Sequence, residues 1–167
     1  MPAYKCINPD DFLQTPSGRL WTPERNKTAW ALAHASFKQA LSKRAQGDAP
    51  NRRPDVYVVC GIQGAGKSTW ISDNATRLAP CVFFDAALPR VVHRQPLIRM
   101  AQEVGATVHA VWINTPLTEA LNRNAMRKTD EQVPAASIIA VAEQFEAPTV
   151  TEGFATVLEV NGGRVAL

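Results

Sequence analysis

Cysteine is scarce in this sequence, and its spacing excludes the usual roles of clustered thiols. The 167 residues include three cysteines, Cys6, Cys60 and Cys81, and no two of them form a CxxC pair. An odd number of widely spaced thiols indicates neither a disulfide framework nor a zinc knuckle. We therefore expect buried, reduced thiols, as is usual in a cytoplasmic protein.

Long hydrophobic runs are also lacking. No apolar run approaches the roughly 18 residues that a membrane span requires. The first residues, MPAYKCINPDDFLQ, contain no apolar stretch of the kind found in signal peptides. We expect a protein without a membrane segment that resides in the cytoplasm.

Charge of either sign is not in large excess. Eighteen basic and 15 acidic residues give a net charge of +3, and 46% of the residues are hydrophobic. These values are typical of one water-soluble globular domain. The weakly basic balance favours anionic ligands, which include phosphorylated small molecules, and nucleic acid is compatible with it but not required. No feature of the sequence indicates an oligomeric state.

Short β-branched or aromatic runs alternate with helical patterns in the larger, C-terminal part of the chain. Strands are predicted at residues 56–60, 81–85, 107–113 and 156–160. Helices are predicted from about Gly66, Gln95, Pro116 and Pro134. This alternation predicts a three-layer α/β fold with a short parallel sheet of about four strands. Right-handed connections favour the strand order 81–85, 56–60, 107–113, 156–160.

A further helix is predicted before this core. Thr22 is suited to an N-cap and Pro23 to the first helical position, and the pattern continues to about Arg44. Apolar residues recur there at helical spacing: Trp30, Ala33, Phe37, Ala40 and Leu41. We expect this stripe to pack on the core. Residues 1–54 would then be an N-terminal extension ending in the polar connector 46–54, and residues 55–167 would be the core.

The segment GIQGAGKS, residues 61–68, fits the pattern G-x-x-x-x-G-K-[S/T]. It follows a predicted strand and opens a predicted helix, which is the context that the phosphate loop of P-loop proteins requires. Its glycines let the backbone wrap around a triphosphate, and the helix N-terminus adds partial positive charge. The expected nucleotide contacts are Gly61, Ile62, Gln63, Gly64, Ala65, Gly66, Lys67, Ser68 and Thr69.

ATP and Mg²⁺ are the ligands that this loop predicts. Lys67 is expected to reach the β- and γ-phosphates, and the Ser68 hydroxyl to coordinate Mg²⁺. The chain has no N-K-x-D motif after the loop, which disfavours a guanine nucleotide.

Asp85 ends the strand CVFFD, and the carboxyl ends of strands are where ligands bind in open α/β sheets. We expect it either to ligate Mg²⁺ or to accept the proton of an attacking hydroxyl. A polar residue that only terminates a strand is the alternative. The next residue is Ala86 and not the glutamate that many P-loop ATPases use to activate water, which disfavours a hydrolytic motor.

Two arginines on the helix after Pro116, Arg123 and Arg127, are four residues apart and therefore share a face. They predict a lid around residues 122–133 that neutralises charge on a transferring phosphoryl group. A solvated basic helix end is the alternative. Beyond Asp85, the residues Arg90, His93 and Arg94 either bind an anionic acceptor or lie on an ordinary surface.

The sequence resembles the compact P-loop kinases related to the kinase domain of 5′-polynucleotide kinases and, more distantly, zeta-toxin-like and chloramphenicol-phosphotransferase-like proteins. The resemblance covers residues 55–160. It rests on GIQGAGKSTW, on Asp85, on LNRN from 121 through Arg127 to Val133-Pro134, and on FEAP from 145 with EGF from 152. It implies transfer of the γ-phosphoryl group of ATP to a hydroxyl acceptor, with Lys67 and Ser68 on phosphate and magnesium and the two arginines in a lid.

One departure from these kinases affects the expected acceptor. Polynucleotide kinases carry a strand with a catalytic aspartate, followed by a substrate-binding segment, before the strand that resembles 81–85. Here only a short segment separates the phosphate-loop helix from that strand. Asp85 would then have to act both as that catalytic aspartate and as the carboxylate that ends the strand 81–85. Residues 1–54 are a candidate to replace the missing substrate-binding segment as a wall of the site. A non-catalytic ATP sensor or interaction module is the alternative function.

Overall fold

A five-stranded parallel sheet forms the centre of the protein in a computed structural model that describes residues 3–47 and 53–162. Residues 48–52 of the predicted connector lie outside the described residues. The strands are β1 Tyr4–Ile7, β2 Gln14–Thr15, β3 Gly18–Arg19, β4 Asp55–Cys60, β5 Cys81–Asp85, β6 Thr107–Asn114 and β7 Thr156–Asn161. The α-helices are α1 Pro23–Ala45, α2 Lys67–Leu78, α3 Val91–Glu103, α4 Leu117–Ala125 and α5 Ala135–Glu143. Short 3₁₀ helices span Pro9–Leu13, Thr129–Glu131 and Val150–Glu152.

The sheet order is β1-β5-β4-β6-β7, and every neighbouring pair is parallel. The predicted order of the last four strands is confirmed. The predicted number of strands was wrong by one, because β1 adds an edge strand beside β5. This strand has only four residues, and Tyr4 and Lys5 are exposed, so the sequence shows no clear apolar alternation there.

Helices cover the sheet on both faces, which confirms the three-layer α/β architecture. One core contains side chains of α1 and α3, and the other contains side chains of α2, α4 and α5. All five residues of β5 are buried because this strand lies inside the sheet and between both helical layers.

The predicted N-terminal helix is present as α1. The Thr22 hydroxyl accepts a hydrogen bond of 3.1 Å from the Arg25 amide, and Pro23 occupies the first turn. Phe37 is fully buried, with its ring centroid 5.3 Å from that of Phe84 on β5. Burial of such a side chain contributes about 2 kcal/mol or more, so the apolar stripe docks α1 on the sheet.

Of the helices that the structure describes, none combines the length and apolar character needed to cross a membrane.

Candidate active site

The phosphate loop connects β4 to α2 at the carboxyl edge of the sheet. Gly64 has a φ of +80°, and a Cβ atom there would lie 2.3 Å from the Ala120 carbonyl oxygen. A Cβ atom at Gly61 would lie 2.6 Å from the Ile113 carbonyl oxygen. Only glycine therefore permits this close path of the loop along β6 and α4. The first N–H groups of α2 have no intrahelical acceptors and can bind phosphate oxygens.

Lys67, the first residue of α2, reaches back along the loop. Its Nζ donates hydrogen bonds to the carbonyl oxygens of Gly61 at 2.9 Å and Ile62 at 3.1 Å. Burial lowers the pKa of Lys67 from its usual value, while the nearby Asp85 carboxylate opposes this shift and the Arg127 guanidinium adds to it. An ammonium group that has left water in this way is strongly attracted to a phosphate anion.

Ser68 and Asp85 contact each other at the mouth of the loop. The Ser68 hydroxyl donates a 2.8 Å hydrogen bond to Oδ2 of Asp85. Asp85 is buried, whereas Ser68 and the following Thr69 are exposed. The structure thus brings together a hydroxyl and a carboxylate that the sequence places 17 residues apart.

This pair fits a Mg²⁺ site of the nucleotide-dependent type. Magnesium in such sites is bound through one or two carboxylates, with substrate phosphates and water as further ligands. Within residues 3–47 and 53–162, no group of three or more histidine, cysteine, aspartate or glutamate side chains could hold a metal by itself. The side chains that would hold Mg²⁺ are therefore Ser68 and Asp85, together with phosphates of a bound nucleotide.

The N-terminal segment contributes further polar residues that the sequence analysis missed. Ile7 on β1 pairs with Phe84 on β5, so the next residue, Asn8, lies level with Asp85. Asn8 Nδ2 donates to Asp85 Oδ2 at 3.3 Å. Asp11 follows closely, and burial together with the carboxylates of Asp10 and Asp85 raises its pKa. No local pattern identifies these residues, because only the pairing of β1 with β5 brings them to the site.

Arg123 on α4 is hydrogen-bonded to the backbone of the phosphate loop. Its guanidinium donates to the Ala65 carbonyl oxygen at 3.0 Å and also pairs with Glu119. The buried hydroxyl of Thr115 donates to the same Ala65 oxygen at 2.7 Å. Arg123 thus contacts the backbone of the loop, which was not predicted from its place on the helix.

Arg127 lies beyond the end of α4 and is exposed, yet it is close enough to Lys67 to influence the pKa of that lysine. The segment that carries it is closed by a pair of hydrogen bonds. Asn124 Nδ2 donates to the Val133 carbonyl oxygen at 2.8 Å, and the Val133 amide donates to Asn124 Oδ1 at 3.0 Å. Residues 125–132 therefore form a loop with fixed ends beside the phosphate loop.

The predicted basic patch after Asp85 does not form. Arg94 is fully buried and pairs with Glu152 at 2.8 Å, and Arg90 lies 3.8 Å from Glu146. Burial lowers the pKa of His93, and the two neighbouring arginines lower it further. Arg94 is thus unavailable to an anionic acceptor, whereas Arg90 and His93 are exposed and Arg90 has only a distant carboxylate partner.

A comparison with protein families finds a match to a family model described as an AAA domain, AAA_33. It covers residues 71–148, slightly less than half of the chain. The matched segment begins just after the phosphate loop and includes Asp85, Arg123 and Arg127.

Proposed function

From the premise that the chain is a P-loop nucleotide-binding domain, we propose that it is a kinase that transfers the γ-phosphoryl group of ATP to a hydroxyl acceptor. The observation that carries this proposal is the contact of Ser68 with Asp85 beside Lys67 at the mouth of the loop. The match to the AAA_33 model supports it, since kinases are found in that family. The resemblance to kinases related to 5′-polynucleotide kinases points in the same direction.

The chain's own residues bind and orient the triphosphate. Residues 61–69 form the cradle, in which the first N–H groups of α2 and the Lys67 ammonium group donate to phosphate oxygens. When bound, Mg²⁺ neutralises charge on the β- and γ-phosphates. Ser68 and Asp85, whose oxygens lie 2.8 Å apart, are the residues that would hold that ion.

In the transfer step, the acceptor oxygen forms a bond to the γ-phosphorus, and the bond from that phosphorus to the β,γ-bridging oxygen breaks. ADP leaves with the electron pair of the broken bond. The proton of the acceptor hydroxyl passes to the Asp85 carboxylate, which aligns the hydroxyl for attack. Positioning and charge neutralisation supply most of the rate in such reactions.

We assign residues 122–133 to a lid over the nucleotide. Arg127 is the lid side chain suited to neutralise charge on the transferring phosphoryl group, because it is exposed and already acts electrostatically on Lys67. Arg123 holds the loop through Ala65 and therefore couples the position of the lid to the shape of the cradle.

A second candidate is a non-catalytic ATP sensor in which a partner reads the position of the lid. The hydrogen bond from Arg123 to Ala65 favours it, since this contact links the helix that precedes the lid directly to the phosphate loop. Such a sensor needs the cradle but not a phosphoryl acceptor.

Product analysis with γ-labelled ATP and Mg²⁺ distinguishes the two. The acceptors are 5′-hydroxyl oligonucleotides, nucleosides, sugars and aminoglycosides, together with simple neutral alcohols, and Lys67→Ala is the control that disables the cradle. We expect label in one class of acceptor for the native protein and none for the variant. Label found only as free phosphate, at a rate that no acceptor changes, would exclude the kinase and favour the sensor.

A further inference from the structure

A cleft of about 380 Å³ opens between α1 and the segment that follows Asp85. Its walls are mostly apolar or aromatic. They are formed by Trp30, His34, Ala87, Leu88, Pro89, Val92, His93 and Pro96. Pockets for small ligands are typically concave and apolar with a few polar groups, and this volume lies near the lower end of their range.

One wall of the cleft is hydrogen-bonded to the phosphate loop. The Gly61 amide donates to the Ala87 carbonyl oxygen at 3.2 Å, and the Ala86 amide donates to the Val59 carbonyl oxygen at 3.3 Å. The chain therefore runs from Asp85, past the first glycine of the loop, into the wall of the cleft. A ligand that touches Ala87 therefore lies beside the first residue of the phosphate loop.

The floor of the cleft is held in an uncommon conformation. Leu88 has a φ of +47°, a left-handed value that costs a residue other than glycine about 1 kcal/mol or more. Arg94 donates to the Leu88 carbonyl oxygen at 2.9 Å while it pairs with Glu152. The buried pair of Arg94 and Glu152 thus holds Leu88 in its strained conformation. Strain that is maintained in this way is typical of ligand sites.

A polar atom of the cleft lacks a partner. His34 Nε2 is buried and forms no hydrogen bond with any described residue. An imidazole nitrogen that has lost water in this way costs free energy unless a ligand or a water molecule satisfies it. Burial also lowers the pKa of His34, which favours the neutral form of its ring.

The other polar residues of the cleft add no charge. His93 Nδ1 accepts a hydrogen bond of 3.2 Å from the Arg90 amide, so Nε2 carries the proton when the ring is neutral. The nearest arginines, Arg90 and Arg94, are paired with Glu146 and Glu152. The lining of the cleft therefore offers apolar contact and hydrogen-bonding groups, and it includes no arginine or lysine.

We propose that this cleft binds the phosphoryl acceptor, and that the acceptor is a neutral alcohol with a flat apolar ring. This inference rests on the kinase function proposed above and narrows its substrate class. The ring packs among Trp30, Val92 and Pro96, and a polar substituent satisfies His34 Nε2. The hydroxyl group points toward Ala87 and Asp85, where it attacks the γ-phosphorus in the transfer step described above. A polynucleotide or a phosphorylated acceptor would place anionic groups against this uncharged wall.

The test compares three probes that differ in charge: 2-phenylethanol, its anionic counterpart 4-(2-hydroxyethyl)benzoate, and a 5′-hydroxyl oligonucleotide. Saturation-transfer NMR measures binding without any need for turnover, and the label that passes from γ-labelled ATP to the probe measures transfer. We expect 2-phenylethanol to bind saturably and to accept phosphate, and the two anionic probes to do so at least roughly tenfold less well.

A pair of matched variants locates the binding site. Val92, in the cleft, and Val150, outside it, are 60% and 59% exposed. We expect Val92→Trp to fill the cleft and raise the KM for 2-phenylethanol by roughly tenfold or more without changing the affinity for ATP. Val150→Trp is expected to match the native protein in the KM for 2-phenylethanol and in the affinity for ATP.

The outcomes separate this inference from the kinase function. Transfer to the oligonucleotide or to the anionic alcohol in preference to the neutral one would overturn the inference and retain the kinase. Equal effects of the two tryptophan variants would also overturn it. Binding of 2-phenylethanol that Val92→Trp weakens, without transfer to any acceptor, would retain the neutral ligand class and overturn the kinase function.

Discussion

The guanidinium group of Arg94 donates one hydrogen bond to each carboxylate oxygen of Glu152, both 2.8 Å long. The side chains are 0% and 4% exposed. Such a bidentate pair has the best geometry available to two buried charges. It joins α3 to the turn before β7, and through the Leu88 carbonyl it also holds the wall of the cleft.

We predict that Arg94→Met destabilises the protein by about 3–5 kcal/mol, because it leaves the Glu152 carboxylate buried without its cationic partner and with only the Thr149 amide as a donor. Arg90→Met, at the residue just before α3, is the matched control, since its partner Glu146 lies 3.8 Å away and both side chains are about half exposed. The free energy of unfolding of Arg90→Met should fall by no more than about 1 kcal/mol. Urea denaturation measures both. Similar losses in the two variants would show that the buried pair adds little to stability.

The three thiols provide a second prediction. Burial raises the pKa of Cys6 and Cys60 to about 12 and that of Cys81 to about 11. Since only the thiolate reacts with iodoacetamide, the folded protein at pH 8 should be modified roughly a hundredfold more slowly than the protein in urea. Mass spectrometry counts the labelled thiols, and the denatured sample is the control. Rapid labelling of one cysteine in the folded protein would contradict the prediction.

Much of the fold could be predicted because its signals are local. Apolar strands bounded by turns and capped helices identify β4 to β7 and all five helices, and the handedness of their connections gives the order. The strand β1 could not be found in this way. Its pairing partner Cys81 lies 77 residues after Tyr4, and its four residues show no periodicity.

The site was predictable only in part, because some of its contacts also join residues that are far apart in the sequence. The loop 61–68 is a contiguous motif, but the neighbours of Asp85 include Asn8, which β1 brings to the site. Arg94 looked like part of a basic patch because its partner Glu152 lies 58 residues away in the sequence. Contacts across such distances depend on tertiary packing, which periodicity and spacing do not describe.

A third prediction separates Arg127 from its neighbour Lys128. Both are exposed cations after α4, but only Arg127 contributes to the lowered pKa of Lys67. Arg127→Ala should lower turnover by roughly two to three orders of magnitude, since a guanidinium group on the transferring phosphoryl acts mainly in the transition state. Lys128→Ala, in the same lid but without influence on the pKa of Lys67, should leave turnover within about twofold of the native value, as is usual for an exposed charge with no specific contact. Steady-state kinetics with the accepted alcohol measures both. Equal losses would indicate a general effect of positive charge and not a specific lid residue.

Arg123→Ala is expected to differ from Arg127→Ala in the parameter that changes. Because Arg123 donates to the Ala65 carbonyl oxygen, its removal should loosen the cradle and weaken the binding of ATP as well as turnover. Calorimetry with MgATP measures the affinity. An Arg123→Ala variant that binds ATP as tightly as the native protein would show that Thr115, which donates to the same oxygen, is sufficient to hold the loop.

The last prediction concerns Asp85, on which the transfer step depends. Asp85→Asn keeps the size of the side chain and leaves an oxygen that can still accept from Ser68, but it removes the negative charge and the proton acceptor. Binding of ATP should stay within a few-fold, because the cradle of residues 61–69 is unchanged and the asparagine amide oxygen remains a possible ligand of Mg²⁺. Turnover should fall by roughly two to four orders of magnitude, the usual contribution of a positioned proton acceptor.

Asp73→Asn provides the control for this change, since Asp73 is an exposed aspartate on α2 and should leave both affinity and turnover unaltered. A rate near the native value in Asp85→Asn would mean that Asp85 only terminates its strand. The proton acceptor would then have to be another carboxylate at the same edge of the sheet. Asp11 is the candidate, because it is exposed at this edge and because partial loss of water and the nearby carboxylates of Asp10 and Asp85 raise its pKa. In that case Asp11→Asn, and not Asp85→Asn, would remove the transfer activity while ATP still binds.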